Sequence, residues 1–139
     1  GAELDGLGVE MIEQPLPAGQ DDGLIDIDCP VLLCADESVH TLADIPRLAN
    51  LYDMINIKLD KTGGLTGALE LAEAASKAGM QLMTGCMVGT SLAMAPAMIT
   101  GAMSRIVDLD GPIWMAKDRD HALTFNNGVM GLPDRELWG

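Results

Sequence analysis

The feature that most constrains this chain is a unit that recurs along it: a short apolar run ending in a polar residue, then a loop, then a helical pattern. The five runs are VEMIEQPLP, VLLCADESVH, MINIKLDKTGG, MQLMTGCMVG and RIVDLDGP. Between the second and third, TLADIPRLANLY sets Thr41 three residues before Asp44, as in a helix N-terminal box, with Pro46 early enough in the helix to be tolerated. Between the third and fourth, Leu65, Leu69 and Ala72 recur at helical spacing, and Gly79 sits where a helix should stop. A further helix is expected from Thr90 or Ser91, kinked at Pro96. Strands that alternate with helices pair in parallel, and runs apolar on both faces belong to a sheet covered by helices. The fold class is therefore α/β.

An open doubly wound sheet and part of a (β/α)8 barrel both fit this alternation. The polar residues favour the barrel, because they fall at the carboxyl ends of successive strands, where barrel enzymes place their chemistry. A complete barrel takes about 250 residues. The 139 residues here amount to half a barrel, expected to be a fragment or the second half of a longer protein.

Strand side chains alternate faces with period two. In the third run Met54, Asn56 and Lys58 share one face, and Ile55, Ile57 and Leu59 share the other. The second face is expected to pack on helices, while the first leads up the barrel interior to Lys58 at its mouth. Lys61 has the opposite parity and is expected in the loop. The same logic puts Glu13 and Asp36 on inward faces at the ends of their strands, and Asp108 and Asp110 on a common face of the last one. Carboxylates on neighbouring strand ends repel and raise each other's pKa unless a cation sits between them. A hard divalent ion meets that need. Mg²⁺, which keeps waters and takes few carboxylates, suits a site shared with an anionic substrate better than a calcium cage does. Lys58, near that cation and partly desolvated, is expected to have its pKa lowered toward neutrality, as a base requires. Salt-bridged acids and a lysine at strand ends are the plainer reading of the same residues. Gly63-Gly64 and the Gly85/Gly89 loop suggest a phosphate cradle instead, but the later loop has no Arg or Lys.

Charge narrows the partners. With 21 acidic against 8 basic residues the net charge is −13, which repels phosphate backbones and anionic lipid unless a basic patch intervenes, and none is visible. Neither nucleic acid nor membrane is expected as a partner. Hydrophobic content of 48% with 21% charged residues is that of a soluble globular protein. Cys29, Cys34 and Cys86 form no CxxC pair, and their odd number argues against a disulfide framework, so a reducing cytoplasm fits. The longest apolar tract is broken by Gly89, Pro96 and Gly101 and makes a poor membrane span. The ten methionines are read as core fillers rather than ligands of a soft metal.

At the strand-end residues the sequence resembles the enolase superfamily, muconate-lactonizing subgroup, and within it the dipeptide epimerases of the L-Ala-D/L-Glu type. IEQPL (Ile12 to Leu16) resembles the fourth-strand motif whose Glu binds magnesium, ADES (Ala35 to Ser38) the fifth-strand motif whose Asp does, and NIKLDKTGG the sixth-strand motif with a catalytic lysine. DLDGP (Asp108 to Pro112) resembles the eighth-strand Asp-x-Asp by which dipeptide epimerases hold a substrate ammonium group. The match covers nearly the whole chain.

The resemblance implies the C-terminal part of a (β/α)7β barrel, about strands 4 to 8, with residues 1–121 in the barrel and 122–139 as a tail returning toward a capping domain. The capping domain, the first strands, a lysine pair and a third metal carboxylate would lie outside this chain. The implied reaction is Mg²⁺-dependent epimerisation of a small dipeptide by 1,1-proton transfer through an enediolate. Lys58 would be one base, Glu13 and Asp36 metal ligands, and Asp108 and Asp110 the ammonium site. Glu37 and Asn56 could support the ligands from behind, although a solvated Glu and a hydrogen-bonded core Asn explain them more simply. The alternatives are an o-succinylbenzoate synthase or N-acylamino acid racemase of the same superfamily, and a non-catalytic half-barrel. In isolation the chain is expected to be inactive and to pair with the missing half or with another copy.

Overall fold

The computed structural model describes residues 1–139. Strands β1 (Met11–Glu13), β2 (Leu32–Ala35), β3 (Met54–Ile57), β4 (Gln81–Thr84) and β5 (Ile106–Val107) form one sheet in sequence order, and every neighbouring pair is parallel. A doubly wound sheet reverses its strand order at a switch point. This sheet does not, so the architecture is that of part of a barrel.

Helices α1 (Ala2–Gly6), α2 (Ile45–Leu48), α3 (Leu59–Thr62), α4 (Leu65–Lys77) and α5 (Ser91–Gly101) accompany the strands. In α4 the buried residues are Ala68, Leu71, Ala72 and Ala75, spaced to make one stripe along the helix. That stripe packs on Leu33, Ala35, Ile55, Ile57 and Leu82 in the larger core. The helix stops where Gly79 adopts φ +81° and the Met80 amide returns to the Ala75 carbonyl at 3.0 Å, a Schellman ending. The Asp44 carboxylate accepts the Thr41 amide at 2.8 Å, so the expected N-terminal box is present, with Pro46 in the first turn of α2. Pro96 lies inside α5, which starts at Ser91.

The opposite face of the sheet holds Cys34, Met54 and Met83, flanked by Met11, Leu32 and Ile106. These are the inward residues expected from parity, and the register Glu13↔Cys34, Cys34↔Met54 aligns the strand ends that follow them. After β5 a 3-10 turn covers Gly111–Trp114, and an antiparallel hairpin joins β6 (Phe125–Asn126) to β7 (Val129–Met130). Leu123 and Leu137 from this tail share a cluster with Met94, Ala95 and Ala97 of α5 and with Leu109. No helix is long and apolar enough to cross a membrane.

Candidate active site

Three adjacent strands deliver the charged residues to one mouth. Glu13 ends β1, Asp36 follows β2 and Lys58 follows β3, and all three line a cavity of about 740 Å³ together with Gln14, Glu37 and the Pro15–Ala18 loop. Lys58 Nζ donates to Asp36 Oδ2 at 2.6 Å. Asn56 Nδ2 donates to Glu13 Oε1 at 2.7 Å, its amide lying against Gly85, where a Cβ would approach both amide heavy atoms to 2.7 Å. The other amide atom, Asn56 Oδ1, is buried without a partner. Glu37 is exposed, and it is its carbonyl oxygen, not its carboxylate, that pairs with the His40 ring at 3.0 Å.

Lys61 differs from its expected place. The strand ends at Ile57 and the chain turns at once into α3, so two-residue parity no longer governs Lys61. One helical turn brings it back to the side of Lys58. Its Nζ donates to Asp36 Oδ1 at 2.5 Å, to Asp36 O at 2.6 Å and to Asn56 O at 3.1 Å. Gly64 closes α3 by donating its amide to Leu59 O at 2.9 Å, which occupies an amide that a phosphate cradle would need.

These contacts set the electrostatics. Burial pushes the Asp36 carboxyl up, but the two lysines outweigh it and hold the group below its ordinary value. Partial burial and the Asp36 charge push Glu13 up, against the Asn56 hydrogen bond. For Lys58 burial acts downward, yet the ion pair with Asp36 leaves the ammonium raised, opposite to the lowering expected from sequence. That expectation was for a lysine beside a bound cation, whereas the raised value reflects the pairing of Lys58 with Asp36. Lys61 is the lysine whose pKa falls, because burial dominates its pairing with Asp36. Two oxygen donors on neighbouring strand ends are chemically suited to a hard cation, and an unpartnered amide oxygen lies beside them. No three His, Cys, Asp or Glu side chains converge within the chain. The donor set therefore fits a magnesium ion in part.

Asp108 and Asp110 share a second cavity of about 760 Å³, walled by Val107, Leu109, Ile113, Phe125, Val129 and Met130. The parity that put both on one strand face does not apply, because β5 ends at Val107 and Asp110 begins the 3-10 turn at φ −82°, ψ −1°. Asp108 is exposed, and Asp110, half-buried, accepts the Trp114 indole N–H at 2.9 Å. The two acids meet in one pocket for a different local reason than expected, and neither is a deeply buried charge. Sequence spacing also gave no sign of half-buried Gln14 and buried Asp21, Ser38 and Tyr52, a cluster under the β1 and β2 ends assembled across tens of residues.

Residues 1–136 match the family described as "Enolase C-terminal domain-like". The chain is 54% identical over 136 residues to an N-acetyl-D-glutamate racemase of a Pseudoalteromonas species, covering 98% of this chain and 43% of that protein. It is 49% identical over 129 residues to the L-Ala-D/L-Glu epimerase of Escherichia coli K12, covering 93% of the chain and 40% of that protein. An enolase family member from Agrobacterium tumefaciens with homology to dipeptide epimerases, with bound sodium and L-Ala-L-Glu, superposes at TM-score 0.95 and 49% identity over 99% of this chain and 42% of that one. The dipeptide epimerase of Methylococcus capsulatus, complexed with Mg and L-Arg-D-Lys, does so at TM-score 0.86 and 34% identity over 96% and 40%. The chain thus spans about two fifths of the length of the relatives it matches. On the strength of the family match and the all-parallel strand order, this chain belongs to the enolase superfamily, within its C-terminal domain.

Proposed function

We propose that the protein containing this chain is a Mg²⁺-dependent epimerase of small dipeptides, working by 1,1-proton transfer, and that residues 1–121 form about strands 4 to 8 of its barrel. The observation that carries the proposal is the convergence of Glu13, Asp36 and Lys58 on one mouth, with Lys58 Nζ 2.6 Å from Asp36. Glu13 and Asp36 would hold the metal with a third ligand from the rest of the protein. Magnesium, when bound, supplies positive charge that neutralises these acids and favours the anionic form of a substrate carboxylate. Lys58 would move the proton at the substrate α-carbon from one face, and a base outside this chain would serve the other. Lys61 holds the second oxygen of Asp36 and so competes with Lys58 for its charge. Asn56 supports Glu13 through its amide, while exposed Glu37 adds negative charge near the lysines. Asp108 and Asp110 would receive the substrate ammonium group. Residues 122–139 would lead back toward a capping domain, and the chain without its other half would be inactive. A cytoplasmic setting completes the proposal.

A second reading has its own support: the relative at 54% identity is an N-acetyl-D-glutamate racemase, whose named substrate carries no free ammonium group. The test is solvent deuterium uptake at the α-carbon by the full-length protein, given L-Ala-L-Glu and N-acetylglutamate in parallel with Mg²⁺. Faster exchange of the dipeptide supports the epimerase. Faster exchange of the acylated amino acid moves the assignment to the racemase, and exchange of neither would sink both.

A further inference from the structure

Beneath the mouth lies a polar cluster that no proton-transfer step uses. Gln14 follows Glu13 directly and adopts φ +40°, a left-handed conformation unusual for a residue with a side chain. Its amide bridges two strand ends. Gln14 Oε1 accepts the backbone amides of Asp36 at 2.8 Å and Ser38 at 3.2 Å. Gln14 Nε2 donates to Leu16 O at 2.7 Å, Ser38 Oγ at 2.9 Å and Tyr52 OH at 3.2 Å. Both hydroxyls in turn donate to one oxygen of fully buried Asp21, Ser38 at 2.5 Å and Tyr52 at 2.7 Å. The other oxygen of Asp21 takes Arg47 at 2.9 Å and the Gly19 amide at 3.3 Å.

The donors run in one direction. A carboxylate accepts only, so Ser38 and Tyr52 must spend their protons on Asp21 and turn lone pairs toward Gln14. Those lone pairs select the NH₂ end of the Gln14 amide, which leaves its oxygen facing Asp36 and Ser38. We infer that Gln14 is a positioning residue that clamps the β1 end carrying Glu13 to the β2 end carrying Asp36, with Asp21 fixing the direction of its amide. The clamp accounts for the strained backbone at Gln14, since the side chain that holds Asp36 must leave the strand just where Glu13 turns into the cavity. Its purpose is to hold two like charges in fixed register before a cation arrives, and in this it rests on reading Glu13 and Asp36 as the metal carboxylates.

The test uses the full-length protein stripped of metal, with Mn²⁺ as the probe and free ion followed by electron paramagnetic resonance. Gln14→Met keeps the shape and removes every side-chain hydrogen bond while the residue 14 amide still donates to Cys34 O. It should weaken Mn²⁺ binding by about 10–100-fold and speed amide hydrogen exchange in segment 33–39 without metal. Tyr52→Phe should shift both readouts the same way by less. Met94→Ala, which opens a cavity in the α5 cluster, a core group that holds no clamp residue, should lower the melting temperature and leave Mn²⁺ affinity near wild type. Wild-type exchange in segment 33–39 for Gln14→Met, or an affinity loss in Met94→Ala equal to that in Gln14→Met, overturns the clamp. Wild-type Mn²⁺ affinity in both Glu13→Gln and Asp36→Asn overturns the metal reading instead, and the clamp is then judged by hydrogen exchange alone.

Discussion

The two ends of the sheet are finished to different degrees. At the mouth of β1 to β3 the polar side chains are bound to one another: Glu13 to Asn56, Asp36 to Lys58 and Lys61, Gln14 to Ser38 and Tyr52. At the mouth of β5 the strand is two residues long, Asp108 is exposed, and Asp110 is held by an indole that is itself 71% exposed. Groups that stabilise developing charge must be oriented beforehand, because reorientation during reaction costs free energy. Groups that recognise a substrate can be oriented by it. The rigid end is suited to chemistry and the open end to selection, in keeping with relatives of 54% and 49% identity named for an acylated amino acid and a dipeptide.

The largest expected effect lies at the rigid end. Lys58→Ala in the full-length protein should slow α-proton exchange by about 10²–10⁴-fold and leave magnesium affinity, measured by titration calorimetry, close to wild type. If metal affinity falls as steeply as exchange, Lys58 is scaffold and the division between the two ends is wrong.

Next comes the foundation of that end. Burial pushes the Asp21 carboxyl up, but donors from Ser38, Tyr52, Arg47 and Gly19 outweigh it and hold it well below the ordinary range. A carboxyl lowered on folding contributes stability that is complete above the unfolded value near 3.9 and is lost as pH falls below it toward the folded value. Asp21→Asn should therefore cost about 2–4 kcal/mol near neutral pH, and the gap to wild type should close in acid, as read by urea denaturation at several pH values. A gap independent of pH would mean that the clamp does not depend on the charge of Asp21.

The smallest effect belongs to the open end. Asp108→Asn should lower kcat/KM on a dipeptide with a free amino terminus by about tenfold, as for one hydrogen bond to a charged group. Stability should barely move, and activity on the N-acetyl analogue should be spared. Equal loss on both substrates would make Asp108 part of the rigid machinery.

Much of the rigid end could be read from sequence, because strand periodicity is local and strict. Glu13, Asp36 and Lys58 converge as their parity requires, and the Thr41 and Asp44 box needs only three residues of context. The rule failed at the points where strands stop. Lys61 returns to the site because Leu59–Thr62 is helical, and Asp110 reaches the pocket of Asp108 from a 3-10 turn rather than a strand because β5 ends at Val107, three residues earlier. Gln14, Asp21, Ser38 and Tyr52 stayed hidden for another reason. Their hydrogen bonds span 17 to 38 residues and depend on the packing of two loops and a helix, which no spacing encodes.

The parallel register also bears on which length changes the chain can tolerate. Strands β1 to β3 bring Glu13, Asp36 and Lys58 to the mouth in steps of two, so losing one residue within Leu32–Ala35 would exchange the inward set of Leu32, Cys34 and Asp36 for the outward set of Leu33 and Ala35. The carboxylate would then face the helices, and the apolar side chains would face the cavity. An insertion in the exposed Pro17–Gln20 loop moves no strand out of step. Insertions and deletions that accumulate in such loops can diversify a protein of this kind while its strand interiors keep a fixed count.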